Sequence, residues 1–251
     1  MKNNLFNILK WILLSAYLIV ILGFSENKRN SLICKDFRIT IEGEHKFINE
    51  EIVKDLLINN GIILDSCLID NINFDNINRT VRAHPAVLTT QTYSDFSGTI
   101  YIRIKQRNPL LRVMTKDNNS FYIDTEGYKM PLSNHYTAHV PILSGSIKNT
   151  DFEKLKLNNY FSDLYNFIIF TQSHDLWKYQ IAHIYITDNK EVELVPRLGN
   201  HIIYLGDLNN YEYKLKKLEA LYETSLKNIN WELYSGIDLR FSDQIILKKR
   251  Q

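Results

Sequence analysis

The chain has 251 residues, 45% of them hydrophobic and 23% charged, and its 30 Lys and Arg against 28 Asp and Glu leave a net charge of +2. That balance excludes a mostly disordered protein, a collagen and a polytopic membrane protein, and it argues against a nucleic-acid partner held by phosphate neutralisation. Aromatics at 12% with only 9 Gly and 5 Pro suit β-rich structure, and two cysteines, Cys34 and Cys67, are too few for a disulfide scaffold.

Behind a head of residues 1–4, Leu5 to Phe24 is the most apolar stretch. At about 1.5 Å per residue it is long enough to cross a hydrocarbon core. Lys10 is placed to snorkel, Trp11 suits an interface, and Trp11 to Phe24 carries no charge. A cleaved signal peptide is the competing reading. The apolar run is long for one, and Gly23-Phe24-Ser25 is a poor cleavage site, so the stretch reads as an uncleaved single-pass anchor. Its orientation is weakly encoded: Lys2 and Lys10 precede it, and Lys28 and Arg29 follow. Residues 25–36 are polar and read as a linker.

Residues 37–107 form the first module. Phe37, Ile39 and Ile41 alternate with Arg38, Thr40 and Glu42, as in a half-buried strand. Asn49 is placed to cap a helix that opens on Glu50 and Glu51, with Ile52, Val53, Leu56 and Leu57 on its apolar face and Gly61 past its end. Phe74, Ile77 and Val81 mark a second helix over Asn73–His84, which Pro85 stops. Two strands follow, Ala86–Ser94 and Gly98–Arg107, around a turn at Asp95–Gly98. The order β-α-α-β-β predicts a compact α+β unit.

Residues 108–251 predict a mixed β-sheet domain with helices. Leu110–Thr115 and Phe121–Asp124 read as strands around Asp117-Asn118-Asn119, with a turn at Thr125-Glu126-Gly127. Asp151–Phe170 reads as an amphipathic helix. A meander follows, in which Trp177–Thr187, Glu191–Pro196 and His201–Leu205 are strands. Tyr211, Leu215, Leu218, Tyr222 and Leu226 mark another helix. The chain closes on one strand, Ile237–Leu247. There Ile237, Leu239 and Phe241 alternate with Asp238, Arg240 and Ser242, until Asp243 breaks the phase and Ile245, Ile246 and Leu247 run together. The break suggests a bulge or bend. The strand reads either as buried at its end or as an edge that accepts a partner strand.

Short motifs at the junctions of this order resemble the FtsQ/DivIB family of bacterial cell-division proteins. They are His84-Pro85-Ala86-Val87, Gln106-Arg107-Asn108-Pro109, Phe121-Tyr122-Ile123-Asp124-Thr125-Glu126-Gly127, Val140-Pro141-Ile142-Leu143-Ser144-Gly145, Leu205-Gly206 and Ile237-Asp238-Leu239-Arg240-Phe241. His84 and Ala86 depart from the family, which often has Trp after that Pro. The resemblance implies a POTRA domain over 37–107 and a β domain over 108–251. It also implies a cytoplasmic head and a bulk outside the inner membrane at the division septum. It implies no catalysis and no cofactor. The partners it implies are the single-pass proteins FtsB and FtsL, and through them the septal peptidoglycan synthases. It favours the edge reading of the last strand, with Arg240, Phe241, Ser242, Asp243, Gln244, Ile245, Ile246 and Leu247 receiving a segment of FtsB.

No Gly-x-Ser-x-Gly, His-Glu-x-x-His or Gly-x-x-x-x-Gly-Lys pattern is present. His135 and His139 have the spacing of a helical metal pair, but Pro131 and Pro141 flank them and no acidic or Cys ligand lies close. Asp124 and Glu126 are explained by turn chemistry. The sequons at Asn78 and Asn118 read as chance. Whether Cys34 and Cys67 pair is open, since their separation is not encoded. A POTRA-bearing envelope assembly or translocation factor is the alternative; it calls for a following membrane barrel, whereas the strands after Pro109 are short, charged and broken by helices. A membrane-tethered enzyme calls for a convergent polar pocket, for which the sequence offers no candidate.

Overall fold

The structure is a computed structural model and describes residues 10–20, 32–63, 67–152, 159–225 and 231–250. Residues 10–20 are helical. No described helix is long and apolar enough to cross a membrane; residues 5–9 and 21–24 of the expected span lie outside the described set. Beyond it the fold is α+β, and the chain divides after Gln106 into two units.

Local capping sets the helices of the first unit. Asn49 accepts a hydrogen bond from the Ile52 N–H at 2.8 Å and starts α1 (Glu50–Asn59); Asn73 accepts one from Asn76 at 2.9 Å and starts α2 (Phe74–Arg82). Three strands complete it, β1 (Asp36–Glu42), β2 (Val87–Ser94) and β3 (Thr99–Gln106), in the order β1-β3-β2. β1 runs parallel to β3, and β2 runs antiparallel to it. Asp95 closes the β2–β3 turn by accepting from the Ser97 hydroxyl and the Ser97 and Thr99 N–H groups, which holds its carboxyl at about 2. Ile100, Ile102 and Ile104 of β3 are fully buried with Val53, Ile77 and Val81 from the helices, each contributing roughly 1.5–3 kcal/mol through burial. Gln106 ends β3 with its side chain spanning two backbone groups: its amide donates to His45 O and accepts from Ile48 N.

The expected linker ends earlier than residue 36. Ile33 forms an antiparallel bridge to Leu68, and the Cys34 and Lys35 N–H groups donate to Cys67 and Gly98 carbonyls at 2.8 and 3.0 Å. Backbone pairing thus draws residues 32–35 into the first unit.

Among the described residues the second unit holds nine strands in one sheet. They are β4 (Pro109–Met114), β5 (Ser120–Asp124), β6 (Lys129–Met130), β7 (Ile142–Gly145), β8 (Ile181–Ile186), β9 (Val192–Pro196), β10 (Ile202–Gly206), β11 (Tyr234–Asp238) and β12 (Ile246–Lys249). Their order is β12-β11-β10-β9-β8-β7-β4-β5-β6. Helices α3 (Asn159–Ser173), α4 (Trp177–Gln180) and α5 (Tyr211–Ser225) share one core with alternate strand residues. Phe161, Leu164, Phe167, Trp177, Leu215 and Leu218 meet Val113, Leu143, Ile184, Leu194, Leu205 and Ile237 there. The alternation puts Tyr185, Glu193, Tyr204 and Lys248 on the opposite face.

Three expectations change here. The helix expected over 151–170 follows a short 3-10 turn, Asn149–Phe152; α3 starts at Asn159, and 153–158 lie outside the described residues. Trp177–Gln180 is a helical turn that buries the indole before β8 begins. The closing strand is two strands. The Arg240 N–H donates to Asp238 Oδ1 at 3.2 Å, a side-chain turn that ends β11. The Lys217 ammonium from α5 then holds the Phe241 and Ser242 carbonyls, each at 2.8 Å. The broken alternation is therefore a reversal between antiparallel strands, rather than a bulge within one.

A candidate partner-binding edge

β12 is the end of the sheet, and among the described residues nothing pairs with its outer side. It runs antiparallel to β11 with Ile246 opposite Asp238, Leu247 opposite Ile237 and Lys248 opposite Gly236. The register shift falls between Tyr234 and Gly236, within β11, so alternation along β12 is unbroken. The Arg250 N–H donates inward to Leu233 O at 2.7 Å. By the two-residue repeat of an antiparallel strand, the backbone of Lys248 and Ile246 also faces β11, while Leu247 directs its N–H and C=O outward and Lys249 its N–H; the Lys249 carbonyl accepts from the Ser235 hydroxyl of β11 at 3.4 Å. The side chains divide differently: Ile245 and Leu247 pack against the core, and Ile246 is 38% exposed.

A charged lattice braces this end of the sheet. Asp238, its side chain 3% exposed, accepts two bonds from Arg240, at 2.9 Å from Nε and 2.7 Å from Nη2, and lies 3.5 Å from Lys248 Nζ. The Arg240 bonds hold the Asp238 carboxyl below its ordinary value, and the carboxylate in turn raises the guanidinium. Arg240 reaches Glu191 at 3.6 Å, and Lys248 Nζ sits 3.6 Å from the centre of the Tyr204 ring. Two glycines make the space. A Cβ on Gly206, which has φ +78°, would stand 2.7 Å from Arg240 Cγ; one on Gly236 would stand 2.6 Å from Tyr204 Cε2. The Leu205-Gly206 and Ile237–Phe241 motifs are thus one constellation, joined further by the Leu239 N–H donating to Tyr204 O at 2.9 Å.

Of the expected edge residues, Ile246 and Leu247 lie in β12. Arg240, Phe241, Ser242, Asp243, Gln244 and Ile245 form the connection that leads into it. Phe241 is 44% exposed, and Ser242, Asp243 and Gln244 are exposed beside it. Sequence reasoning passed over Lys248 and Lys249, which complete the strand, as well as Tyr204 and Lys217, which support it from β10 and α5. The extension of the apolar-basic run Ile245–Arg250 past Leu247 was the available signal.

The remaining candidates take other places. His135 and His139 are exposed in an irregular segment, so the spacing of a helical pair is not realised. Among the described residues no group of three His, Cys, Asp or Glu is arranged to hold a metal. Asp124 is buried in its turn, accepting from the Glu126 and Tyr128 N–H groups at 2.9 and 2.7 Å and from Arg107 at 2.7 Å. Arg107 also stacks over Tyr128 at 4.4 Å. The Arg107-x-Pro109 and Asp124–Gly127 motifs therefore meet in one ion-paired corner.

Family models match the chain in two places. One described as FtsQ/DivIB, C-terminal related, matches residues 108–247, more than half of the chain. One described as a POTRA-like domain matches residues 32–105. No curated protein matches.

Proposed function

This chain belongs to the FtsQ/DivIB family, which places its role in cell division, and from that premise we propose that it is a noncatalytic scaffold whose β12 edge receives a strand from a small single-pass partner of the FtsB or FtsL type. Through that partner it connects to septal peptidoglycan synthesis. The observation that carries the reading is the unpaired outer side of β12, braced by the Asp238–Arg240–Lys248 lattice. Outward N–H and C=O groups supply attraction that is nearly independent of sequence. Phe241, Ile246 and the basic run Lys248-Lys249-Arg250 supply selectivity beside it.

The proposal includes a single-pass anchor at residues 5–24 in the inner membrane, with the units beyond it extracytoplasmic at the septum. Support comes from the uncharged Trp11–Phe24 run and from residues 10–20, which are helical with their apolar side chains exposed. Depletion of the protein tests the role: filaments without septa are expected, and normal septation overturns it. A reporter fused after Gln251 tests the topology, and a cytoplasmic signal there rejects it.

A further inference from the structure

We propose that Cys34 and Cys67 are a disulfide pair that locks the start of the first unit onto the segment between α1 and α2. The Cys34 N–H donates to Cys67 O at 2.8 Å, and the Ile69 N–H donates to Leu32 O at 2.9 Å, on either side of the antiparallel Ile33–Leu68 bridge. In that register Cys34 and Cys67 stand directly opposite each other, with their side chains on the same face. Directly opposed residues at a hydrogen-bonded position have Cα atoms about 5.5 Å apart, inside the roughly 4.4–6.8 Å that disulfides span. Both side chains belong to the apolar cluster of the first unit, Cys34 at 4% exposure and Cys67 half-buried against it. Their sulfurs approach different carbonyls, Asp36 O and Ile63 O, each at 3.6 Å. Those contacts are weak and hold neither sulfur firmly away from the other. The bridge lies outside the three-stranded sheet.

The oxidant is a disulfide, either oxidised glutathione or the reactive disulfide of a thiol oxidoreductase. Cys67, the more accessible thiol, gives up its proton and attacks one oxidant sulfur, and one thiolate leaves. Cys34 then gives up its proton and attacks the Cys67 sulfur of the mixed disulfide, and the second thiolate leaves. One S–S bond replaces another, two electrons pass to the oxidant, and two protons go to the departing thiolates. The product ties residues 32–35, where the chain arrives from the proposed anchor, to the far side of α1. Without it, tension on the anchor would be resisted there by three backbone hydrogen bonds and the packing of Leu32 and Cys34. Occurrence in the cell rests on the extracytoplasmic reading above; the chemistry does not.

The experiment separates the two. Full-length protein in detergent is equilibrated in glutathione buffer near −200 mV, within the range of oxidising compartments, then alkylated and digested with trypsin without reduction. The expected product joins the Asn30–Lys35 peptide to the Asp55–Arg79 peptide with loss of two hydrogen atoms. Reduction should lower the melting temperature of the first unit by roughly 10 °C. It should leave Cys34→Ser/Cys67→Ser unchanged between the two buffers. Thiols that stay reduced in this buffer overturn the disulfide whatever the topology. In cells, acid trapping should find the pair protected from alkylation. A pair that oxidises in the buffer but is alkylated in cells, together with a cytoplasmic reporter at Gln251, overturns the topology and the cellular disulfide together. The same alkylation with an extracytoplasmic reporter overturns the disulfide alone.

Discussion

Lys249→Pro isolates the backbone contribution of the proposed edge. Leu247 and Lys249 direct two N–H groups and one C=O outward from β12, the Lys249 carbonyl being held by Ser235, and each bond made to an added strand nets roughly 0.5–1.5 kcal/mol. The backbone share of binding is then about 1.5–4.5 kcal/mol. Proline at position 249 removes one of the two outward donors and leaves the partner's carbonyl unsatisfied, while the inward Arg250–Leu233 bond is kept. The expected loss is about 1–3 kcal/mol, or roughly a 5- to 150-fold rise in Kd. The assay is calorimetric titration of full-length protein in detergent with the extracytoplasmic segment of the FtsB-like partner. Lys249→Ala, which keeps the N–H, should change Kd by less than about threefold, as for an exposed charge. Ile246→Pro is the opposite control: it removes an N–H that faces β11, so binding and melting temperature should fall together. A Lys249→Pro protein that melts like wild type and binds within twofold of it refutes the edge assignment.

Phe241→Ala should weaken the same partner by roughly 1–3 kcal/mol, a moderate anchor, with the melting temperature unmoved because the ring is 44% exposed on a connection; unchanged affinity would remove Phe241 from the interface. Asp124→Ala leaves two backbone N–H groups without their acceptor and Arg107 with Glu126, 3.5 Å away, in place of its buried partner, and should cost about 3–5 kcal/mol in chemical denaturation, as for a broken buried pair; a loss under 1 kcal/mol would show the corner to be replaceable. The Asp238 carboxyl is depressed from its ordinary 3.8 by Arg240. Its pairing therefore contributes in full above that value and is lost as pH falls through the lower folded-state value. The gap in melting temperature between wild type and Asp238→Asn should be constant at neutral pH and narrow below 3.8; a gap that widens on acidification contradicts the sign.

The parts of the fold that are legible in the sequence are those decided within a few residues. Asn49 and Asn73 announce their helices because a cap bonds three positions ahead, and Asp95–Gly98 announces its hairpin because one carboxylate closes the turn. The two failures at Trp177 and at Ile237–Leu247 share a cause. An alternating apolar pattern says which side chains are buried, and it is equally satisfied by a helical turn that buries Trp177 or by a reversal that buries Leu239 before Ile245. Nor does any local pattern specify that β10 and β11 lie side by side in parallel, with α5 between them in the chain. That pairing makes β12 the last strand. The residues expected at the edge fall on β12 and on the connection before it, while the lattice beneath them depends on Tyr204 and Glu191, far away in the chain.

The four-residue length of β12 bears on how an assembly built on it would stop growing. A strand laid along β12 covers the outward groups of Leu247 and Lys249 and at once presents a far side of its own. The open side is displaced by one strand and is not abolished. Growth could then continue, newcomer upon newcomer, into an indefinite ribbon. Four residues permit contact over only about 13 Å, so each junction is weak without side-chain support. Phe241 and the Lys248 lattice stand beside β12, so a second added strand would have to find its support on the first. Beyond that strand, limiting the complex to a fixed size falls to the newcomer, through a proline, a lysine or a bend on its own outer side.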